Sequence, residues 1–181
     1  MTIENKERYD GKIIKQVKGM IDIFDSFFEE EKFKNIIEIG TGTGAFSIYF
    51  AKKALEMKSL FTTYDIKPIN KMNQRVLTNL KVIIVTGDIN KNVDVENIVK
   101  KEDRCLILND GGLKVPQFYR FAKLMKKGDI ILTHDYYYKN TVSRKGIIVM
   151  KDVKKCIKRN KMRVVREDMF NDYLWLCVIK E

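Results

Sequence analysis

Glycines and acidic residues stand directly after short apolar runs in this chain, at positions where they could bind a ligand. The run Asn35–Ile39 is followed by three alternate glycines, Gly40, Gly42 and Gly44. Glycine allows a tight turn and lets the backbone approach a ligand with no Cβ in the way. The next residues predict a helix, whose first N–H groups and positive dipole end suit a carboxylate or a phosphate.

Four further apolar runs end in polar residues that could take part in chemistry. Asp65, Asp88 and Asp110 follow the second, third and fourth runs, and His134-Asp135 follow the fifth. Carboxylates accept hydrogen bonds from ribose hydroxyls or amines, and they stabilise a nearby positive charge. Aspartate is also common at helix caps and turns, which explains any one of these residues structurally. Their joint position indicates one shared binding edge.

Strands and helices alternate along the chain and must position these residues. Short apolar runs predict strands at 35–39, 60–64, 82–86, 104–108, 129–133, 163–168 and 173–179. Helical spacing of apolar residues predicts helices at 12–31, 45–57, 70–80, 93–100, 115–125 and 149–159. Such alternation is typical of βαβ units, whereas the short link between the last two strands suits an antiparallel hairpin. We therefore predict an α/β three-layer sandwich with a Rossmann-like, mostly parallel seven-stranded sheet and an antiparallel C-terminal strand.

Length and composition favour a single globular domain. The chain has 181 residues, of which 45% are hydrophobic and 33% charged, so residues 1–181 are predicted to form one domain with an N-terminal helical segment at 1–33. No apolar run reaches the roughly 18 residues of a membrane span, and the polar N-terminus does not resemble a secretory signal. Cys105, Cys156 and Cys177 read as buried thiols in a reducing compartment. We expect a cytoplasmic protein without a membrane partner.

The formal net charge of +11 raises the prospect of an anionic partner such as nucleic acid. Lysines and arginines are dense between Lys151 and Arg166, where they could bind phosphates. The same spacing turns Val153, Cys156 and Ile157 to one side, so we favour the solvated face of an amphipathic helix.

The glycine segment Glu38–Gly44 resembles the E/D-x-G-x-G-x-G motif of class I S-adenosylmethionine-dependent methyltransferases. The resemblance implies that Asp65 holds the ribose, that Asp88 faces the adenine, and that Asp110 lies beside the methyl-bearing sulfur. The residues that it implies for cofactor binding are Glu38, Gly40, Thr41, Gly42, Gly44, Ala45, Asp65, Ile66, Gly87, Asp88, Ile89, Asp110 and Gly111. The glycine spacing also satisfies the dinucleotide fingerprint, which leaves an NAD-dependent oxidoreductase as an alternative.

The region of Asp110 and His134-Asp135 is similar to metal-dependent O-methyltransferases and to cephalosporin-hydroxylase-like proteins. The similarity implies Asp110 and Asp135 as ligands of Mg²⁺, with His134 adjacent, because carboxylates and waters suit this ion. The chain departs from the D-x-x-H pattern of those relatives, since Leu113 stands where they have histidine.

These patterns predict methyl transfer to an oxygen of a small molecule, with Asp110, His134 and Asp135 as catalytic residues. We expect the acceptor pocket to form from the N-terminal helix and from the loops at 111–117 and 136–148. Two alternatives remain open: a nucleic-acid methyltransferase acting on ribose hydroxyls, and an inactive S-adenosylmethionine-binding accessory protein. The fourth strand is not followed by the D/N-P-P-Y/F motif, which argues against amino methylation of DNA bases.

Overall fold

The computed structural model describes residues 6–101, 103–140, 142 and 146–181. Its strands are β1 Lys6–Tyr9, β2 Lys12–Val17, β3 Asn35–Ile39, β4 Leu60–Asp65, β5 Ile83–Thr86, β6 Cys105–Asn109, β7 Ile130–His134, β8 Met162–Val164 and β9 Trp175–Lys180. Its helices are α1 Met20–Glu30, α2 Ala45–Glu56, α3 Lys71–Asn79, α4 Asp94–Lys100, α5 Lys114–Leu124, α6 Met150–Arg159 and α7 Glu167–Phe170.

The central sheet of the described chain has seven strands in the order β5-β4-β3-β6-β7-β9-β8. Pairing is parallel from β5 to β7, whereas β9 runs antiparallel to both of its neighbours, β7 and β8. Ile37 in the middle of β3 pairs with Thr62 on one side and Ile107 on the other. This topology confirms the predicted Rossmann-like sheet with an antiparallel C-terminal strand.

Helices cover both faces of the sheet and make the predicted three layers. Leu106 and Leu108 of β6 pack in the core with α1, α2, α3 and α7. Ile107, between them, packs on the opposite face with α4, α5 and α6. Because successive side chains of a strand point to opposite faces, a strand covered on both sides is largely apolar.

The helix predicted over 12–31 is wrong for its first part. Residues Lys12–Val17 form β2, which pairs with β1 in an antiparallel hairpin outside the main sheet. Gly19 takes a left-handed conformation with φ +89°, and α1 begins at Met20. The first half of the apolar pattern is therefore a strand whose inner face carries Ile14 and Gln16. Residues 1–5 of the predicted N-terminal helical segment lie outside the described residues.

The strand predicted at 163–168 is also too long. Only Met162–Val164 pairs with β9, and Glu167–Phe170 forms α7. Arg166 has a left-handed φ of +55° and its guanidinium contacts Glu30 and Glu31 at the end of α1. The chain therefore turns away from the sheet at Arg166, and the link between the last two strands contains a helical turn.

The burial expected for the cysteines and for the apolar side of the basic helix is confirmed. Cys105, Cys156 and Cys177 are buried free thiols. In α6, Val153, Cys156 and Ile157 are buried, whereas its lysines are exposed to solvent. Within the described residues, no helix combines the length and apolar character that crossing a membrane requires.

Candidate active site

The loop between β3 and α2 brings the backbone close to its neighbours and leaves one glycine open to solvent. Gly40, Gly42 and Gly44 have φ values of +101°, +55° and +81°. A Cβ at Gly40 would lie 2.5 Å from the carbonyl oxygen of Asp110, whereas a Cβ at Gly42 would meet no atom within 4 Å. The Gly42 N–H donates to Oδ2 of Asp65 over 2.8 Å. The loop thus presents bare backbone at the carboxyl edge of the sheet.

Two cavities meet at this loop, and together they contain almost all of the predicted site residues. The Asp65 cavity, of about 300 Å³, is lined by Asp65, Ile66, Gly87, Asp88, Ile89 and Gly111. The His134 cavity, of about 360 Å³, is lined by Glu38, Thr41, Ala45, His134 and Asp135. Both are lined by Gly40, Gly42 and Asp110. Gly44 lines neither cavity and instead packs against Ile69 and α3.

The acidic residues of the Asp65 cavity also hold local structure. Oδ1 of Asp65 accepts from the Lys67 N–H over 3.0 Å, in addition to the bond from the glycine loop. Oδ1 of Asp88 accepts the backbone N–H of Asn90 over 3.0 Å and so caps a short 3₁₀ turn. Both carboxylates keep acceptor capacity toward the cavity, because a carboxylate offers about four lone-pair directions.

Gln117 is a further residue of the Asp65 cavity that the sequence did not reveal. It is 4% exposed, and its Oε1 has no hydrogen-bond partner among the described residues. Two apolar side chains on the cavity wall, Ile66 and Leu113, are 69% and 56% exposed. A buried, unpaired acceptor between apolar walls suits a flat ring with an amino group, such as adenine.

Glu38 is buried under the glycine loop within a network of hydroxyls. It accepts hydrogen bonds from Ser47 and Thr63, and Thr63 in turn lies 2.5 Å from the hydroxyl of Thr41. Burial raises the pKa of Glu38 to about 7, and the bonds from Ser47 and Thr63 oppose that increase only in part. Glu38 therefore supports the loop and can change its charge near neutral pH.

Four ionisable side chains converge in the His134 cavity. Nδ1 of His134 lies 2.9 Å from Oδ1 of Asp110 and 3.6 Å from Oδ1 of Asp135. Nζ of Lys114 lies 2.8 Å from Oδ2 of Asp135, and Lys114 is 8% exposed. Asp135 adopts a left-handed φ of +57°, which is uncommon outside glycine and aspartate or asparagine. Sequence reasoning found three of these residues and missed Lys114.

The N-terminal hairpin closes this cluster from the side. Nε2 of Gln16 donates to Oδ2 of Asp110, and its Oε1 accepts from the Trp175 indole, both over 3.1 Å. The Trp175 ring stacks at a tilt on His134, with ring centres 4.8 Å apart. Ile14 and Lys15 of β2 also line the cavity, so the N-terminal residues that reach it belong to a strand and not to the predicted helix.

The predicted loops contribute unequally to this cavity. From the loop at 111–117, Lys114 lines the cavity. Tyr136, the first residue of the loop at 136–148, is buried and does not line it. Residues 141 and 143–145 of the second loop lie outside the described residues.

The site residues fit S-adenosylmethionine but do not fit Mg²⁺ as they stand. The close approach at Gly40 and the open face of Gly42 suit the cofactor's backbone-bound end. Asp110, His134 and Asp135 offer ligand atoms within 4.8 Å of one another. The Lys114 ammonium already contacts Oδ2 of Asp135 and lies 3.7 Å from Oδ1 of Asp110, so it stands where the metal would need these oxygens. Binding of Mg²⁺ by Asp110 and Asp135 stays a prediction from the sequence.

Comparison with known proteins gives a family match and several structural neighbours. The FtsJ-like methyltransferase family matches residues 17–175. No curated protein matches the chain. The structure of cmcI-D160 with Mg and SAM superposes with a TM-score of 0.62 at 9% identity, covering 97% of this chain and 76% of that one.

Two further neighbours come from named organisms. The pre-rRNA processing protein fibrillarin of Methanococcus jannaschii gives a TM-score of 0.53 at 21% identity, covering 83% of this chain and 68% of that one. The O-methyltransferase TomG of Streptomyces achromogenes, in complex with SAM, gives 0.55 at 12% identity, covering 89% and 78%. These likenesses agree on the fold, and the family match sets the oxidoreductase alternative aside. The chain belongs to the FtsJ-like methyltransferase family and is an S-adenosylmethionine-dependent methyltransferase.

Proposed function

We propose that the protein transfers the methyl group to a hydroxyl oxygen of a small molecule. The observation that carries this proposal is the Asp110–His134 pair, which opens on a cavity of about 360 Å³. The similar fold of TomG, an O-methyltransferase, also supports an oxygen acceptor.

The proposed cofactor position spans both cavities. Asp65, Asp88 and Gln117 would hold the nucleoside part, and the glycine loop would hold the amino-acid part. S-adenosylmethionine supplies, when bound, an electrophilic methyl group on a positively charged sulfur. The Asp110 carboxylate lines both cavities and would stabilise that charge.

His134 is the proposed general base for the acceptor hydroxyl. Its Nδ1–H is assigned as the donor to Asp110, because a carboxylate can only accept, and this leaves Nε2 as the free acceptor. No described residue hydrogen-bonds to Nε2. Asp110 holds the ring in this tautomer and stabilises the imidazolium that forms when Nε2 takes the hydroxyl proton. Trp175, stacked on the ring, and Gln16, bonded to Asp110, keep the pair in position.

The test of His134 separates binding from proton transfer. His134→Asn keeps a donor near Asp110 but has no Nε2 base, so we expect methyl transfer from labelled S-adenosylmethionine to fall by roughly 10²- to 10⁴-fold. A panel of phenols, catechols and other hydroxyl compounds serves to find the acceptor. Binding of S-adenosylhomocysteine, measured by calorimetry, should stay within a few-fold of wild type. Full transfer by His134→Asn would remove His134 from the mechanism.

The second candidate acceptor is a ribose hydroxyl of RNA. Arg8, Lys15 and Lys18 are exposed on or beside the N-terminal hairpin, and Lys15 also lines the His134 cavity. The likeness to fibrillarin, a pre-rRNA processing protein, favours RNA as the acceptor. RNA in the same labelled assay decides between the two. Salt-sensitive labelling of RNA that falls in Lys15→Ala would replace the small-molecule proposal.

The inactive accessory role is the remaining alternative. It predicts intact binding of S-adenosylhomocysteine together with no labelled product from either acceptor class.

A further inference from the structure

We propose that the Lys114 ammonium is the resident cation of the methyl-transfer site and takes the place of a divalent metal ion between Asp110 and Asp135. The inference rests on the proposed function only in assigning this cluster to the methyl-transfer site. Its structural basis is independent, since it comes from the contacts of one buried lysine.

Lys114 is the first residue of α5, and its side chain folds back into the His134 cavity. Nζ donates to Oδ2 of Asp135 at 2.8 Å and to the carbonyl oxygen of Gly111 at 3.0 Å. The distance from Nζ to Oδ1 of Asp110 is 3.7 Å, which is too long for a hydrogen bond but close for two opposite charges. An ammonium has three N–H donors, so one donor stays available for an oxygen in the cavity.

A metal ion and this ammonium would compete for the same oxygens. Mg²⁺ needs carboxylate oxygens at about 2.0–2.1 Å and an octahedral shell that is otherwise oxygen. Nζ already contacts Oδ2 of Asp135 and faces Oδ1 of Asp110, and it is held in place by Gly111. A divalent ion could bind all three of Asp110, His134 and Asp135 only after Lys114 had left the cavity.

Within the cluster of Asp110, Asp135 and Lys114, the charges also balance without a metal once the cofactor is bound. Asp110 and Asp135 carry two negative charges, Lys114 carries one positive charge, and the bound sulfonium would add a second. A divalent ion added to this set would leave an excess of positive charge beside a positively charged methyl donor, which is unfavourable in a cavity partly shielded from water. Lys114 thus supplies the fixed positive charge that orients an acceptor oxygen. Its ammonium carries one positive charge, whereas a divalent metal ion would carry two.

Mn²⁺ is the probe for this assignment, because its paramagnetic resonance signal decreases when the free ion binds. The proteins to compare are wild type, Lys114→Ala, Lys114→Met and the control Lys123→Ala, which removes an exposed lysine from the same helix. We expect no detectable binding at Asp110 in wild type or in the control, and saturable Mn²⁺ binding by both Lys114 variants. Adding Asp110→Asn to either Lys114 variant should remove the gain.

Two results would overturn the proposal. One is Mn²⁺ binding by wild type that Asp110→Asn abolishes; the other is folded Lys114 variants that gain no Mn²⁺ binding. Lys114→Met keeps the length of the side chain, which protects the test if the alanine variant is unstable. Binding of S-adenosylhomocysteine is measured on the same samples, and its absence in wild type would contradict the proposed function without touching the result for Mn²⁺. EDTA should leave labelled methyl transfer by wild type unchanged.

Discussion

At the scale of single residues, Gln117 offers the sharpest test of the nucleoside position. Its Oε1 is buried without a partner, at the wall of the Asp65 cavity. Gln117→Met keeps the volume but removes the acceptor, so the adenine amino group would lose its partner. We expect S-adenosylhomocysteine binding to weaken by about 1–3 kcal/mol in calorimetry. Gln74→Met, at an exposed position of α3, is the control. Equal affinities of Gln117→Met and wild type would place the adenine elsewhere.

The residues that the sequence revealed are those whose position follows from a strand end. Asp65, Asp110 and His134 each end or follow a strand of the parallel sheet, and the carboxyl ends of such strands meet at one edge. Lys114 and Gln117 lie on α5, where a lysine or a glutamine is ordinary. These two residues reach the cavities only when α5 packs against the sheet, so no local sequence pattern could have predicted their place in the site.

At the scale of elements, the glycine loop predicts a contrast between two neighbouring substitutions. In Gly40→Ala the new Cβ would lie 2.5 Å from the backbone of Asp110, so β3 and β6 must separate. We expect its free energy of unfolding to fall by roughly 2 kcal/mol or more in urea titrations. In Gly42→Ala the Cβ meets no protein atom, so the loss is about 1 kcal/mol, from the left-handed φ alone.

Gly42→Ala, which costs little stability, should in contrast weaken cofactor binding. Gly42 lines both cavities, so its added Cβ would meet the ligand, and we expect at least about tenfold weaker S-adenosylhomocysteine binding by Gly42→Ala. If Gly42→Ala binds as wild type does, the open face of the loop is not the cofactor contact.

The elements themselves were predictable to different degrees. The strands β3, β6 and β7 are largely apolar because helices cover both faces, and this pattern is visible in the sequence. The segment at 12–31 misled the prediction, because apolar residues at 13, 14 and 17 fit a helix as well as the strand that β1 stabilises. Pairing with β1 is a tertiary effect that outweighs helical spacing. The same error hid Gln16, whose bond to Asp110 requires β2.

At the scale of the whole molecule, Glu38 couples stability to pH. Its pKa is about 7 in the folded protein against a model-peptide value of 4.5, so the folded state holds a proton that the unfolded state releases between these values. The free energy of unfolding should therefore decrease as pH rises from about 4.5 to 7, by at most roughly 3 kcal/mol, and level off above. Glu38→Gln cannot ionise, so its profile should lack this decrease.

Urea unfolding at several pH values measures the effect, and the difference between wild type and Glu38→Gln cancels all other titrating groups. A difference that does not change with pH would show that Glu38 keeps the same charge in both states. Ser47→Ala is a useful companion, since losing one donor to the carboxylate should raise the pKa of Glu38 further.

Calorimetry of the wild-type protein with S-adenosylhomocysteine, with NAD as the comparison ligand, measures directly whether the glycine loop and the two cavities hold the nucleoside of the cofactor. We predict saturable one-to-one binding of S-adenosylhomocysteine, none of NAD, and at least about tenfold weaker binding by Asp65→Ala, whose carboxylate would lose the ribose. Absence of saturable binding up to millimolar S-adenosylhomocysteine, or binding that Asp65→Ala leaves unchanged, would contradict the account.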